Sequence, residues 1–170
     1  MSPSHPISLR PPTKQDGTPV WELIQRAGTL DLNSTYCYLL LCDLYADTCM
    51  VAEQHGRLVG FVSALLRPDN PEALFVWQVA VDPEARGQGL AKRMLTELLA
   101  RPQADGVRYV EATIGPSNAA SRALFRSLAK VGDCSMEESH EQGYGSTLFP
   151  AGQHEDEPLI RVGPLARRPS

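Results

Sequence analysis

The sequence predicts an α/β domain with a mixed sheet, and two observations support this prediction. Apolar residues recur at helical spacing in some segments, whereas other short segments are rich in β-branched and aromatic residues. These segments follow one another in the order β, α, α, β, β, β, α, β, α, β. Because helices and strands alternate along much of the chain, we expect helices packed on one sheet. We therefore predict a single domain over 1–170, with a core of about 7–165 and short frayed termini.

The first elements are a short strand and two helices. The stretch "ISLR" predicts a strand that ends at Pro11. The segment "TPVWELIQRAG" predicts a helix that Thr18 can cap and that Gly28 ends. In "LDLNSTYCYLLLC", Asn33 and Ser34 are alternative caps of a second helix. Apolar residues surround this helix almost completely, so we expect it to be buried or to cover a cavity.

The centre of the chain predicts a hairpin followed by the strongest strand. The run "TCMVAEQHGRLVGFVSALLRP" has β-rich flanks on either side of a turn at Gly56. The run "ALFVWQVAVDP" is apolar on both faces, which is typical of a central strand. Asp82 and Pro83 end it.

The last third of the chain predicts two more helices and two more strands. Apolar residues recur at helical spacing from Gly89 to Arg101, and "RYVEATI" follows as a strand. A helix should begin near Ser117 and carry one apolar stripe, made of Ala120, Ala123, Leu124, Leu128 and Val131. We expect the rest to be a long loop, functional or mobile, that ends in the strand "LIRVG".

Composition and charge exclude several classes of protein. The net charge of −4, with no basic stripe, argues against nucleic-acid binding. No apolar run reaches the roughly 18 residues that cross a membrane, so no membrane partner is expected. The beginning of the chain lacks the pattern of a secretory signal, which makes a cytoplasmic location the expectation. The four cysteines lack zinc-type spacing, so we expect reduced thiols and no metal.

The stretch "PEARGQGLAKRML" predicts an anion site between the central strand and the next helix. Free N–H groups and the helix dipole favour negative charge at a helix start, and glycines let a phosphate approach them. The P-loop pattern and the dinucleotide pattern G-x-G-x-x-G are both absent. A purely structural turn remains the alternative interpretation.

This stretch resembles the acetyl-coenzyme A signature of the GCN5-related N-acetyltransferases (GNAT). Their motif is Arg/Gln, two residues, Gly, one residue, then Gly/Ala, and Arg86, Gly89 and Ala91 occupy it here. The downstream "NAASRALFRSLAKVG" is similar to the second cofactor segment of the family. The resemblance implies the GNAT fold, a mixed, mostly antiparallel twisted sheet, splayed at the centre and flanked by helices. It also implies acetyl-CoA as cosubstrate.

Three further segments narrow the resemblance. The stretches "LDLNSTYCYLLLC", "FVWQVAVDP" and "GQHEDEPLIRVGPL" look like those of the L-2,4-diaminobutyrate acetyltransferases of ectoine synthesis. This resemblance implies a small diamine amino acid as the substrate and a homodimer as the assembly. The apolar helix 34–45 offers a possible contact surface for that dimer.

The family resemblance also implies which residues bind the cofactor. The pyrophosphate would bind the main chain of Arg86, Gly87, Gln88, Gly89, Leu90, Ala91 and Lys92. Val79 and Val81 would pair with the pantetheine arm, and the N–H of Ala80 would polarise the thioester carbonyl. Asn118, Ser121 and Phe125 would line the cofactor from the second helix.

One position departs from the family pattern, because the usual Leu-Tyr pair is Leu124-Phe125 here. Phenylalanine has no proton to donate to the departing thiolate. Either Tyr144 takes this catalytic role or the thiolate leaves unassisted.

The acceptor amine also needs help, because an alkylamine with a pKa near 10.4 is almost fully protonated at neutral pH. Glu111 lies inside the apolar strand "YVEATI" and is the candidate that orients or deprotonates the amine; a solvent-facing carboxylate is the alternative. The set predicted to bind substrate is Asp31, Asn33, Tyr36, Tyr38, Trp77, Gln78, Glu111, His154 and Glu155. For Asp31 and Asn33 the alternative role is helix capping, for the tyrosines packing, and for "HEDE" a solvated loop.

Three functions remain open on these patterns. The first is acetylation of L-2,4-diaminobutyrate, and the second is acetylation of another small amine or a peptide amine. The third is a coenzyme A-binding module without turnover. Plain nucleotide binding is disfavoured, because the lysine and hydroxyl residue of a P-loop are missing.

Overall fold

The computed structural model describes residues 5–167, which form seven strands and four α-helices. The strands are β1 Ser8–Arg10, β2 Met50–Gln54, β3 Arg57–Arg67, β4 Asn70–Val81, β5 Tyr109–Thr113, β6 Ser135–Tyr144 and β7 Glu157–Gly163. The helices are α1 Gly17–Ala27, α2 Thr35–Leu44, α3 Leu90–Leu99 and α4 Ala119–Val131. Among these residues no helix is long and apolar enough to cross a membrane.

The strands form one sheet in the order β1-β2-β3-β4-β5-β7-β6. The pairs β1–β2, β2–β3, β5–β7 and β6–β7 are antiparallel, whereas β4 and β5 are parallel, with Phe75 opposite Glu111. A parallel pair needs a crossover, and the chain between β4 and β5 supplies it with α3. The predicted α/β class with a mixed sheet is confirmed.

The chain forms two compact units, which are described separately below. The first unit contains residues 5–65 and 77–104 of the described chain, and the second contains 66–76 and 105–167. The assignment of 1–170 to one domain stays a prediction. The predicted frayed ends lie partly outside the described residues, because 1–4 and 168–170 are not among them.

In the first unit, capping residues mark both ends of α1 and the start of α2. Gly28 ends α1 in the left-handed conformation at φ 70°, as predicted. The helix begins at Gly17 with Asp16 as its cap, so the prediction that Thr18 caps it is wrong. A short 3-10 turn over Lys14–Asp16 runs directly into the helix and moves its start back. Ser34 caps α2, because its hydroxyl accepts a hydrogen bond from the N–H of Cys37.

Helix α2 buries only one of its apolar sides. Tyr38, Leu41 and Cys42 are buried in a core that also contains residues of α1 and the sheet. On the other side Tyr36 and Leu44 are 68% and 69% exposed. Of the two predicted alternatives, full burial of this helix is therefore wrong, that it covers a cavity stays a prediction, and an apolar surface remains uncovered in the first unit.

The second unit contains a strand that the sequence analysis missed. Strand β6, "SMEESHEQGY", pairs with β7 along the edge of the sheet, where we predicted a loop. Its residues are mostly exposed and polar, so backbone hydrogen bonds define this strand rather than an apolar pattern. The pairing shifts register between Ser139 and Tyr144.

The apolar stripe of α4 also differs from the prediction. Phe125, Leu128 and Ala129 are its buried residues, whereas Val131 is 63% exposed. The helix packs on β6 and β7 of the same unit through this face. Leu128 of the predicted stripe is confirmed as buried, whereas the alanines and the terminal valine of that stripe fit the same helical spacing on an adjacent face.

Gly143 should be the most restricted glycine of the β6–β7 pair. A Cβ at this position would lie 2.6 Å from Cα of Pro158 and 2.7 Å from N of Leu159, and main-chain atoms cannot yield locally. We expect Gly143→Ala to lower the free energy of unfolding by about 3 kcal/mol in urea titrations. Gly106→Ala is the control, because no atom lies within 4 Å of a Cβ there. Equal stability of the two variants would contradict this packing.

Candidate functional site

The turn after β4 exposes a run of main-chain N–H groups. Gly87 and Gly89 have φ of 79° and 70°, the left-handed region that glycine adopts without steric cost. In the following helix, α3, Arg93 is the first residue whose main-chain N–H donates to a carbonyl, the O of Gly89. From 86 to 92 no main-chain N–H donates to a protein atom within residues 5–167. The turn therefore has donors available for an external anion at the positive end of α3.

Two side chains anchor this turn to the rest of the first unit. Nη2 of Arg86 donates to O of Ala27, at the end of α1, over 2.9 Å. The carboxylate of Asp82 accepts from Nε of Arg26 at 2.8 Å and from the N–H of Glu84 at 2.9 Å. Burial raises the pKa of Asp82, but the Glu84 N–H and the Arg26 guanidinium outweigh it and hold the pKa below its usual value. The charge that fixes the turn is thus present at neutral pH.

The side chains at the end of β4 alternate between two environments. Gln78 and Ala80 are 4% and 1% exposed, and Ala80 lies in the core with residues of α1 and α2. Val79 and Val81 are half-buried, and Trp77 is 47% exposed. Because successive side chains of a strand point to opposite faces, the two valines lie on the face away from this core.

Four of the residues predicted to bind substrate form one hydrogen-bonded cluster in the first unit. The hydroxyl of Tyr38 donates to Oε1 of Gln78 at 3.1 Å and accepts from the N–H of Asn33 at 3.2 Å. Nε2 of Gln78 donates to the main-chain O of Asp31 at 2.8 Å. Tyr38 and Gln78 therefore hold the 31–33 loop against β4. Tyr36, also predicted for this set, lies on the exposed side of α2.

Glu111 is fully buried between two arginines in the second unit. Its Oε1 accepts from Nη1 of Arg67 at 3.3 Å, and its Oε2 accepts from Nε of Arg161 at 2.8 Å. Arg67 also binds Asp69 through two hydrogen bonds, and Arg161 lies over the ring of Tyr109. The solvent-facing alternative for Glu111 is therefore wrong. Both carboxylate oxygens hold guanidinium groups, and the catalytic role stays a prediction.

The start of α4 uses two predicted site residues for its own capping. Oδ1 of Asn118 accepts from the N–H of Ser121 at 3.2 Å, so Asn118 is the helix cap. Glu155 accepts hydrogen bonds from both the N–H and the hydroxyl of Ser117, at 3.2 and 2.5 Å. Phe125 is 2% exposed in its own unit. The cofactor contacts of Asn118, Ser121 and Phe125, and the substrate contact of Glu155, stay predictions.

The last two predicted residues flank the segment between β6 and β7. Tyr144 ends β6 and is 50% exposed. His154 stacks on Phe149, with ring centroids 4.1 Å apart. Asp156 accepts from the N–H of Ser146 at 2.6 Å and so closes this segment on itself. The predicted long loop is therefore shorter than expected and internally bonded.

Sequence reasoning missed the partners of the buried polar groups. Arg67, Arg161 and Ser63 each bind a buried group, and none of them was singled out. The sequence did indicate that Glu111 has a cationic partner, because a carboxylate buried in an apolar strand requires one, but it did not identify that partner. In residues 5–167 no group of three or more His, Cys, Asp or Glu side chains is arranged to hold a metal.

Comparisons with known proteins identify the family of this chain. A family model described as "Acetyltransferase (GNAT) family" matches residues 18–129. An L-2,4-diaminobutyric acid acetyltransferase from Virgibacillus pantothenticus is 47% identical over 156 residues, 92% of this chain and 97% of the relative. The same enzyme from Halalkalibacterium halodurans is 45% identical over 159 residues, 94% of this chain and 82% of the relative.

A solved structure is equally similar. It is the diaminobutyrate acetyltransferase EctA from Paenibacillus lautus in complex with its substrate L-2,4-diaminobutyric acid and coenzyme A. It is 50% identical, with a TM-score of 0.91, and the match covers 98% of this chain and 99% of that chain. The predicted GNAT fold is confirmed, and the chain belongs to the acetyltransferase (GNAT) family and, within it, to the L-2,4-diaminobutyric acid acetyltransferases.

Proposed function

We propose that this protein transfers the acetyl group of acetyl-CoA to an amine of L-2,4-diaminobutyrate, a step of ectoine synthesis. The observation that carries this proposal is the 50% identity, over 98% of the chain, to an enzyme solved with that substrate and coenzyme A. The open donors after β4 agree with it, because a diphosphate needs such a group of N–H donors. No feature of the described residues favours a peptide acceptor or a binding module without turnover.

In this proposal the turn from 86 to 92 binds the pyrophosphate of acetyl-CoA. Each main-chain donor at the helix start contributes about 0.3–1 kcal/mol, so several act together. The backbone of Val79 and Val81 pairs with the pantetheine arm, and the N–H of Ala80 donates to the thioester carbonyl. As the amine attacks, that oxygen gains negative charge, and one such donor is worth about 2.7–4 kcal/mol.

The reaction is direct attack of an amine on the thioester carbon. A C–N bond forms, the C–S bond breaks, the thiolate leaves and the nitrogen loses a proton. The neutral fraction of a free alkylamine at pH 7 is only about 10⁻³, so a carboxylate near the nitrogen assists the reaction. We propose Glu111 for this role and Tyr144 as the proton donor to the thiolate. Glu111 would act while bound to Arg67 and Arg161.

The substrate carries two ammonium groups and a carboxylate. We propose that the carboxylate of Asp31, the ring of Trp77 and the segment with His154 and Glu155 contact it, because carboxylates and aromatic faces bind cations. The main-chain O of Asp31 accepts a hydrogen bond from Gln78, which holds the loop beside β4.

We also propose a homodimer in the cytoplasm, with no nucleic-acid or membrane partner. The exposed apolar side of α2, which includes Tyr36 and Leu44, supports an interface between copies. The net charge of −4 agrees with the absence of a nucleic-acid partner.

A thiol-release assay with acetyl-CoA and diamines of different lengths tests the substrate. We expect kcat/KM for L-2,4-diaminobutyrate to exceed that for its one-carbon homologues by about 10-fold or more, since a methylene is worth about 1–3 kcal/mol. Activity on peptide amines alone would contradict the proposal, as would binding of acetyl-CoA without thiol release from any amine.

Gly89 should determine the affinity for acetyl-CoA. In Gly89→Ala, a Cβ enters the open space that the phosphates would occupy, and we expect KM for acetyl-CoA to rise about tenfold with little change in kcat. Gly56→Ala is the matched control, because Gly56 has φ of 71° and open space at the β2–β3 turn. Both substitutions carry a similar left-handed backbone cost of about 1–2 kcal/mol. An equal KM in the two variants would refute a phosphate site at Gly89.

Glu111→Gln tests the proposed action on the amine. We expect kcat to fall about 100-fold, because general base catalysis typically contributes 10²–10⁴-fold. Arg161→Gln is the control, since it removes one guanidinium partner and keeps the carboxylate. If both variants lose the same activity and the same stability, Glu111 only holds the arginines.

A further inference from the structure

One side-chain contact joins the segment between β6 and β7 to the turn between β5 and α4. Oε1 of Glu155 accepts hydrogen bonds from the N–H of Ser117 at 3.2 Å and from its hydroxyl at 2.5 Å. Both residues are exposed, and charged contacts in open solvent add little to the free energy of unfolding. The main effect of this contact is therefore on where the segment lies.

The turn that receives Glu155 is itself fixed through its main-chain carbonyls. Arg122 of α4 donates through Nε to O of Gly115 at 3.2 Å and through Nη2 to O of Ile114 at 3.0 Å. The same guanidinium binds both carboxylate oxygens of Glu138 in β6, at 3.2 and 3.0 Å. The turn is thus tied to α4 and β6, which makes it a firm support for Glu155.

Gly115 leaves room on this turn for the side chain of Glu155. A Cβ at position 115 would lie 2.7 Å from Cδ of Glu155, which is much shorter than the 3.5–4.0 Å at which carbon atoms pack. Gly115 is not one of the glycines with positive φ, so its conformation does not require glycine. The missing side chain therefore matters for the position of Glu155, and an alanine here would displace that carboxylate.

The segment between β6 and β7 is closed on itself. Asp156 accepts a hydrogen bond from the N–H of Ser146 at 2.6 Å, and the ring of His154 stacks on that of Phe149. These contacts link the beginning of the segment to its end. The contact of Glu155 with the turn before α4 therefore places the segment as a whole.

We infer that Ser117 is a positioning residue for the amine substrate. By binding Glu155 it holds the segment 145–156 against the start of α4, and thereby fixes the position of His154. The inference rests on the proposed function, in which the part of this segment with His154 and Glu155 contacts L-2,4-diaminobutyrate. Ser117 acts through that segment and needs no contact of its own with either substrate.

Two substitutions break this contact in different ways. Ser117→Ala removes the hydroxyl donor, whereas Gly115→Ala keeps every polar group and displaces the carboxylate of Glu155. We expect KM for L-2,4-diaminobutyrate to rise about fivefold in Gly115→Ala, the upper range for an exposed charged contact, and about threefold in Ser117→Ala, which keeps the N–H donor. The dissociation constant of coenzyme A should stay within about twofold. The double variant should resemble Gly115→Ala alone, because both substitutions remove one and the same interaction.

Each substitution has a matched control in the second unit. Ser139→Ala also removes a hydroxyl, one that accepts a hydrogen bond from the N–H of Gln142 within β6. Gly106→Ala adds a methyl group where no atom lies within 4 Å of it. Both controls should leave KM for L-2,4-diaminobutyrate unchanged. Ser117→Thr keeps the hydroxyl donor and should keep KM as well.

Hydrogen exchange of the main-chain amides from 145 to 156 adds a readout that needs no substrate. Exchange should become about fivefold faster in Gly115→Ala, and faster also in Ser117→Ala, than in the control variants. Unchanged exchange or an unchanged KM in these two variants would overturn the inference, as would a rise in KM that coenzyme A affinity matches. Absence of thiol release with L-2,4-diaminobutyrate in the unsubstituted protein would instead overturn the proposed function.

Discussion

The proposed site depends on main-chain N–H groups whose hydrogen bonds the protein itself does not supply. The main chain from 86 to 92 offers N–H donors that bind no described protein atom, in a turn that two left-handed glycines shape. Unpaired donors are costly in a folded chain unless water or a ligand binds them. The first unit keeps them open by anchoring the turn elsewhere, through Asp82 to Arg26 and through Arg86 to the end of α1. In the proposed function, the pyrophosphate of acetyl-CoA accepts hydrogen bonds from these N–H groups.

Hydrogen bonds within the first unit also fix part of β4. Gln78 uses its main-chain N–H, its amide oxygen and its amide nitrogen in hydrogen bonds within the first unit. Tyr38 and Gln78 therefore hold the 31–33 loop in place, and their predicted contacts with the substrate stay predictions. The loop that they hold carries Asp31, whose charge suits a cationic amine. The residues that hold the loop and the residue proposed to bind the amine thus lie in one hydrogen-bonded cluster.

Much of the fold was predictable because it depends on periodicity. The four helices and the strands other than β6 each carry a repeating apolar pattern or a turn signal that ends them, such as Gly28. Strand β6 could not be predicted in this way, since its polar residues "SMEESHEQGY" lie at an edge. The face of α4 was misplaced because Val131 fits the spacing but lies at the exposed end of the helix.

The part of the candidate site that consists of main-chain groups could be predicted from the sequence. Glycine spacing indicated the turn at Gly87 and Gly89, because a left-handed conformation restricts the residue type. Pairings between distant side chains were not predictable. Glu111 lies far in sequence from Arg67 and Arg161, and Glu155 from Ser117, so many other arginines and hydroxyls were equal candidates. Folding selects these partners, and only the three-dimensional structure identifies them.

The burial of Asp82 has a consequence for behaviour at high ionic strength. Its carboxylate is 4% exposed, and dissolved ions screen a buried pair much less than charges in open solvent. The donors from 86 to 92 lie on an exposed turn, where the Debye length falls to about 3 Å at 1 M salt. Concentrated electrolyte therefore weakens the long-range attraction of a diphosphate to the turn while the turn keeps its shape. In brine, capture of the anion slows before the binding geometry is lost.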